Sequence, residues 1–394
     1  MNKRPVLSVI IPTHNRFELA KLVVKGILDR FNNTEVVISE TSEVAQLDTE
    51  FSAYIKLGKV KYVRPNQGVD IVTNFETAFQ SSTGEYVLFI GDDDFVGPYI
   101  ENIVEWVKNN DIDALTSTMP TNYYWNDFTT ALSGDKYSSS LVTKNFSGIA
   151  EKLDTIKNLN LSLDDLGSGL KNMPRAYHGI VSRVLCETII SKYGRMFGGV
   201  SPDIFSASLI AKESTKAYII DYPLTIPGSS GNSGAGMSAK GEHVGSLRSN
   251  AFMKAFENLV WNQNIPEFYS VQTIWAFSLN EAYNLMERTT VKKPNFLRLY
   301  VKCIIFHFDH KKETVTSFKS FMKNKSIVIT SFKILKEILK ETYDISLRII
   351  IKLKNKLNSK ELESTKYDTI EDAFYSLEQK IDTTHLTFFN PIKG

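Results

Sequence analysis

Three consecutive aspartates, Asp92, Asp93 and Asp94, end the apolar run in YVLFIGDDDFVGP between Tyr86 and Pro98. Like charges within a few ångströms raise one another's pKa and disfavour the folded state. Something cationic should therefore meet them, unless they form a plain solvated acidic turn. Carboxylate oxygens are hard ligands suited to magnesium or manganese, which are often held by one or two carboxylates plus the phosphates of a substrate. Further along, GGVSPDIFSASLIAKES offers Ser201 as a helix cap, Pro202 at the first helical position and Asp203 in the first turn. Electrostatic capping accounts for a carboxylate placed there.

The elements around the aspartates bear on the choice. Leu7 to Ile11 is a β-branched run ending at Pro12, as in a parallel strand buried on both faces. In the following THNRFELAKLVVKGILDRF, Leu19, Leu22, Val23, Ile27 and Leu28 recur at helical spacing, with Asn15 as the expected cap. Glu35–Ser39 and Val60–Val63 read as strands, Asp70–Ser81 as a helix, Tyr86–Ile90 as a strand and Tyr99–Asn110 as a helix opened by Pro98. Strands alternating with helices predict an α/β fold with a mostly parallel sheet. In such sheets ligands bind beyond the carboxyl ends of the strands. Thr13–Arg16, Ser39–Ser42 and Gly91–Asp94 should all fall there. An extended Asp92–Asp94 would point its first and third carboxylates the same way.

The remainder is less regular. Pro120–Pro174 lacks periodicity and reads as an irregular cap or insertion. PGSSGNSGAGMSAKG, Pro227–Gly241, reads as a flexible linker or as a lid that orders over a bound phosphate. From Asn250 onward the pattern is helical. ISLRIIIKLKNKL, Ile345–Leu357, and the segment Phe296–Phe308 mix aliphatic, aromatic and basic residues, which suits either a helix on anionic lipid or one packed on the body with solvated lysines.

Composition narrows the class. At 394 residues, 42% hydrophobic and 23% charged, the chain is long enough for two domains. A net charge of +2 carries no nucleic-acid signature. The charge is uneven: Val291–Lys360 holds 17 Lys or Arg against 5 Asp or Glu, which is +12 and leaves −10 for the rest. Cys186 and Cys303 belong to no CxxC or Cys/His cluster, which argues against zinc and disulfides and suits a cytoplasmic setting. The apolar stretch before Pro12 is too short for a signal peptide, and Arg298, Lys302, Arg348 and Lys352 interrupt the best candidate membrane spans.

The ordered set VIIPTHNR, VVISETS, NQGVDIVTNFETAFQSSTGEYVLFIGDDD and SPDIFSASLIA resembles the family-2 glycosyltransferases of the GT-A fold. The resemblance covers about the first 245 residues. It implies a catalytic domain over 1–245, and the helical pattern beyond it leaves 246–394 as a helical C-terminal region that associates with a membrane, a partner or the main domain. It places Pro12, Thr13, Asn15 and Arg16 around a nucleotide, Glu40 at its base, and Asn66, Gly68 and Asn74 near the donor. Ser39 precedes Glu40 where many members carry a second acidic residue. The aspartates match the DxD region, so Asp92 and Asp93 join the donor-binding set and Asp94, with Asp92, holds the metal. Asp203 aligns with the general base, and His178 is either an acceptor-site group or an ordinary histidine beside a strand. No QxxRW motif follows Asp203, which implies addition of a single sugar.

The expectation is a manganese- or magnesium-dependent inverting transferase. It would move one sugar from a nucleotide-diphosphate sugar, with UDP the expected nucleotide, to a glycan or lipid-linked glycan in surface polysaccharide synthesis. It would work in the cytoplasm, with peripheral contact at the inner face of the cell membrane and no nucleic-acid partner. Two alternatives share the fold: a sugar-phosphate nucleotidyltransferase, for which no basic Gly-rich triphosphate loop is visible, and a non-catalytic glycan-binding protein.

Overall fold

The computed structural model describes residues 4–256, 258–357 and 362–381. Eight strands form the central sheet, in the order Val60–Val63, Thr34–Glu40, Leu7–Thr13, Tyr86–Phe89, Gly179–Ser182, Ala114–Ser117, Ala217–Ile220 and Ala150–Lys152. The first four are mutually parallel. Gly179–Ser182 runs antiparallel to both its neighbours, and Ala150–Lys152 is an antiparallel edge. The expected α/β sheet, with helices on both faces and a helical C-terminal region, is present. Strand Leu7–Thr13 is central because it is apolar on both faces: Val9, Ile10 and Ile11 are all buried, and Val9 and Ile11 pack in one core while Ile10 packs in the other.

Several local expectations are corrected. The first helix, Phe17–Arg30, begins after Arg16, and Asn15 does not cap it. Asn15 instead adopts a left-handed backbone with φ 56°. The helix after Pro98 starts at Ile100, with Tyr99 left-handed at φ 58° before it, so Pro98 lies outside the first turn. Pro120–Pro174 is more ordered than its composition suggests, containing the strands Thr121–Tyr124, Ser140–Lys144 and Ala150–Lys152 and the helix Thr155–Asp164. The helical pattern expected from Asn250 begins as a long helix only at Val271–Leu285; before it lies one 3-10 turn, Ala251–Met253.

A second sheet has the order Gly228–Ser229, Thr121–Tyr124, Ser140–Lys144 and Leu362–Lys366. Its last strand comes back from the far end of the chain. The helix that follows, Ile370–Lys380, buries Phe374 against Phe31 and Phe95. On the other side of the main sheet, Phe205, Phe277, Leu299 and Cys303 share one apolar core with Phe89 and Phe197. That core runs across residue 245 without a break.

The helix Phe296–Phe306 turns its basic groups inward, contrary to a membrane-facing role for that segment. Arg298 and Lys302 are buried. Arg298 Nε donates to Asp165 at 2.9 Å, and its other arm pairs with Glu341 at 2.7 Å and Asp344 at 2.5 Å. Lys302 also reaches Asp165. Glu341 and Asp344 belong to a helix spanning Ile327–Leu357, which these pairs fasten to the body.

Candidate active site

The three loops expected beyond the strand ends do converge. His14 Nδ1 lies 3.0 Å from the Thr41 carbonyl, and the Asn15 amide donates to Ser42 Oγ at 2.9 Å. Asn15 Oδ1 accepts from the Glu43 amide at 3.0 Å, so Asn15 ties one loop to the other. Thr13 Oγ1 donates to Asp92 Oδ2 at 2.7 Å and Arg16 donates to Asp92 Oδ1 at 2.7 Å.

Asp92–Asp94 is a turn and not the extended segment expected. The Asp94 amide bonds back to the Gly91 carbonyl at 3.3 Å. The turn pairs the first two carboxylates rather than the first and third: Arg16 stands 2.7 Å from Asp92 and 3.5 Å from Asp93. Asp94 turns the other way, into the fold. Its Oδ1 accepts from the Gly228 amide at 2.7 Å, and its Oδ2 accepts from the Gly91 amide at 2.6 Å and the Tyr177 hydroxyl at 3.0 Å. A side chain at Gly91 would place its Cβ 2.9 Å from both that Oδ2 and the Tyr177 oxygen, which explains the glycine before the aspartates.

Burial dominates the electrostatics. It pushes Asp92 up, with Asp93 adding to the effect and Arg16 opposing it. Asp93 is pushed up to about 6 by burial and by Asp94. Asp94 is likewise pushed up to about 6, chiefly by burial. Burial works against the charge on Arg16, but Asp92 and then Asp93 hold it above its ordinary value. One arginine meets two of three buried carboxylates, so the cluster favours additional positive charge.

Pro227–Gly241 is no free linker. Ser230 donates to Asp93 Oδ2 from its amide at 3.1 Å and from its hydroxyl at 2.6 Å, and the helix Gly234–Lys240 follows, capped by Ser233. Trp125 Nε1 donates to the Asp93 carbonyl at 2.8 Å. This segment is a strap seated on the aspartate turn. None of Tyr177, Trp125, Gly228 and Ser230 was singled out from the sequence. The glycine spacing of the strap was the available signal for Gly228.

Of the other expected site residues, Gly68, Asn74 and His178 line the cleft, and Asn66 and Glu40 do not. Asn74 is buried and accepts from Ser39 Oγ at 2.5 Å, securing the end of the second strand. Gly68 has φ 78° and lines the cleft, whereas Asn66 is exposed and does not line it. Glu40 is buried against Tyr62, whose hydroxyl donates to its Oε2 at 2.9 Å. Its Oε1 has no partner among the described residues. His178 is buried, with Nδ1 3.0 Å from Thr225 Oγ1 and Nε2 3.3 Å from Asp94. Burial, with Arg175 nearby, lowers it to about 3, so it stays neutral.

Asp203 lies in the first turn of the helix Pro202–Glu213. Ser201 sits at the cap position but makes no capping bond to the backbone; its hydroxyl donates to Asp203 Oδ1 instead. Asp203 Oδ2 takes no hydrogen bond from the described residues. The two carboxylate sites share one cleft of about 2110 Å³, lined by Thr13, Arg16, Asp92 and Asp93 as well as by Asp203 and Trp275.

The carboxylate oxygen open to a divalent cation in this arrangement is on Asp93. Among the described residues, no three His, Cys, Asp or Glu side chains gather into a metal cage. Both oxygens of Asp92 and both of Asp94 are occupied by protein donors, whereas Asp93 Oδ1 takes no hydrogen bond from the described residues. A hard cation completed by substrate phosphates needs no more than one or two such carboxylates.

Residues 8–154 match the family model described as "Glycosyl transferase family 2". This stretch is a family-2 glycosyltransferase domain. The family-2 domain thus contains the strand ends, the aspartate turn and Trp125, while Asp203 and the strap lie outside the matched residues. Among solved structures, the chain is similar to S. aureus TarS in its 1–349 form, at 14% identity over 55% of this chain and 58% of that one, with a TM-score of 0.39. It is similar to the longer S. aureus TarS at 12% identity over 79% and 54%, with a TM-score of 0.44. For TarS 1–349 in complex with UDP-GlcNAc the values are 13% identity, 82% and 93%, and 0.44. The chain therefore spans little more than half the length of the first two. Comparison with curated proteins found no match.

Proposed function

We propose that this chain is a metal-dependent, inverting glycosyltransferase. It moves one sugar from a nucleotide-diphosphate sugar, with UDP the expected nucleotide, to a hydroxyl of a glycan or lipid-linked glycan in surface polysaccharide synthesis. The observation that carries this reading is the single cleft joining the Arg16–Asp92–Asp93 cluster of the family-2 domain to the Asp203 carboxylate. Pro12, Thr13, Asn15 and Arg16, with Gly68 and Asn74, receive the nucleotide. Glu40 contributes one unpaired buried oxygen suited to accepting an N–H of the base.

Asp93, through Oδ1, would hold magnesium or manganese, and the bound ion would offset the negative charge building on the leaving diphosphate, while Asp92, whose oxygens are taken by Thr13 and Arg16, adds its charge beside it. Asp94 keeps the turn in shape through Gly228, Gly91 and Tyr177. Asp203 Oδ2 takes the proton of the acceptor hydroxyl as that oxygen bonds to the anomeric carbon. The bond from this carbon to the diphosphate oxygen breaks, and its electron pair leaves with the nucleoside diphosphate. Attack opposite the leaving group inverts the anomeric centre. The Ser201 hydroxyl fixes Oδ1, which orients Oδ2 for the transfer. Peripheral contact with the inner face of the membrane, where a lipid-linked acceptor would reside, belongs to the same reading.

A donor panel with manganese or magnesium tests it. Asp203→Asn should lower kcat by about 10²–10⁴ while leaving calorimetric donor binding intact, and Asp93→Asn should weaken metal-dependent donor binding. Full transfer by both variants would refute the mechanism. Release of pyrophosphate from a nucleoside triphosphate and a sugar phosphate would replace it with nucleotidyl transfer.

A further inference from the structure

The helix Ile327–Leu357 has its polarity reversed relative to an ordinary surface helix. The side packed on the body carries Thr330, Glu337, Glu341 and Asp344, with Thr330 buried and Glu341 fully so. Asn295 donates to Glu337 at 3.0 Å, and Arg298 pairs with both Glu341 and Asp344. The side turned away is apolar. Val328, Phe332, Leu335, Leu339, Tyr343 and Ile350 all lie within about 40° of Leu339 at 3.6 residues per turn, and Phe332 is 72% and Leu339 63% exposed. No helix among the described residues is long and apolar enough to cross a membrane. An apolar stripe of this extent, interrupted by Ser346, marks an interaction surface.

Charge decides what covers it. The helix has three acidic residues, Glu337, Glu341 and Asp344, and all three face the body. The stripe is bordered instead by Lys336 and Lys333, both exposed and without an ion pair among the described residues, and by Lys340, which reaches back to Asp164 at 2.8 Å. A second copy of the helix laid on this face would bring like-charged borders together with no carboxylate to answer them. An anionic bilayer answers both halves of the pattern: its acyl boundary takes the aliphatic and aromatic side chains and its headgroups take the lysines.

We propose that this face of the helix is a membrane-surface binding site, which lies flat on anionic lipid and holds the body of the protein beside it. This deepens the membrane contact included in the proposed function. It does not depend on the transfer chemistry, because lipid binding is measured without donor or acceptor.

The test is co-sedimentation of the full chain with phosphatidylglycerol/phosphatidylcholine vesicles and with pure phosphatidylcholine vesicles, at low and high salt. The wild type should partition onto the anionic vesicles at low salt and release at high salt. Lys333→Gln with Lys336→Gln should lower the partition coefficient by about 25-fold, from roughly fivefold per basic residue. Leu339→Glu should abolish binding. All three positions are exposed, so the variants should melt like the wild type. Unchanged binding by Leu339→Glu would overturn the assignment. So would failure of the wild type to bind anionic vesicles, and a concentration-dependent dimer that Leu339→Glu dissociates would then make a second copy the occupant.

Discussion

Substituting Gly228 by alanine tests whether the strap shapes the active site. A Cβ built on Gly228 falls 1.6 Å from the Asp93 carbonyl oxygen and 2.9 Å from Trp125 Nε1. The first obstacle is backbone, so rotation of a flexible side chain cannot relieve it, and the strap must lift by about the 1.5 Å or more that a normal contact requires. Lifting breaks the Gly228 amide bond to Asp94 and puts at risk the two Ser230 bonds to Asp93. Hydrogen bonds to charged groups contribute about 1.5–3 kcal/mol each, so the buried carboxylates stand to lose roughly 3–6 kcal/mol of support from two of them. Gly234 provides the control, because a Cβ there meets nothing within 4 Å. Donor binding by titration calorimetry with manganese, alongside thermal melting, is the assay. Gly228→Ala should lose donor affinity by tenfold or more and melt lower, whereas Gly234→Ala should match the wild type in both. Wild-type binding and melting by Gly228→Ala would refute the idea that the strap supports the aspartates.

Two further outcomes follow from buried charge. Burial works to raise Asp165, but Lys302, Lys171 and Arg298 overrule it and hold its carboxyl well below the usual range. Its stabilising contribution is therefore present at neutral pH and fades as pH falls below about 4, the unfolded value. Asp165→Asn should cost about 3–5 kcal/mol in urea unfolding at pH 7, and the gap from wild type should narrow in acid. Burial pushes the Cys186 and Cys303 thiols up to about 12. Neither should react with Ellman's reagent in the native protein, and both should react rapidly in denaturant.

The strands were legible because their signal is local. The apolar runs at Leu7–Ile11, Glu35–Ser39 and Tyr86–Ile90 are long enough to read directly, and the convergence of their loops followed from the geometry of a parallel sheet. The aspartate turn was not legible in detail. An extended reading paired Asp92 with Asp94, whereas the actual shape depends on Arg16 and on Ser230, which lies 137 residues away. The surroundings of Glu40 were not legible for a related reason: a carboxylate in the last position of a strand faces cleft or core according to where the strand stops. In the strap, composition misled. Its glycines read as flexibility, yet Gly228, Gly231 and Gly236 are places where backbone approaches too closely for a Cβ. Arg298 and Lys302 read as solvent- or lipid-facing charges until the acids of Ile327–Leu357 came to meet them.

The pairing of Leu362–Lys366 with Ser140–Lys144 also has a kinetic consequence. The partner of residue 144 emerges about 220 residues later, which at 5–20 residues per second is roughly 11–44 s of synthesis. For that interval Ser140–Lys144 is an open sheet edge on a nascent chain, able to recruit a strand from a neighbour. Slow translation or loss of the C-terminal strand should therefore show first as aggregation during expression, before any defect in the finished active site.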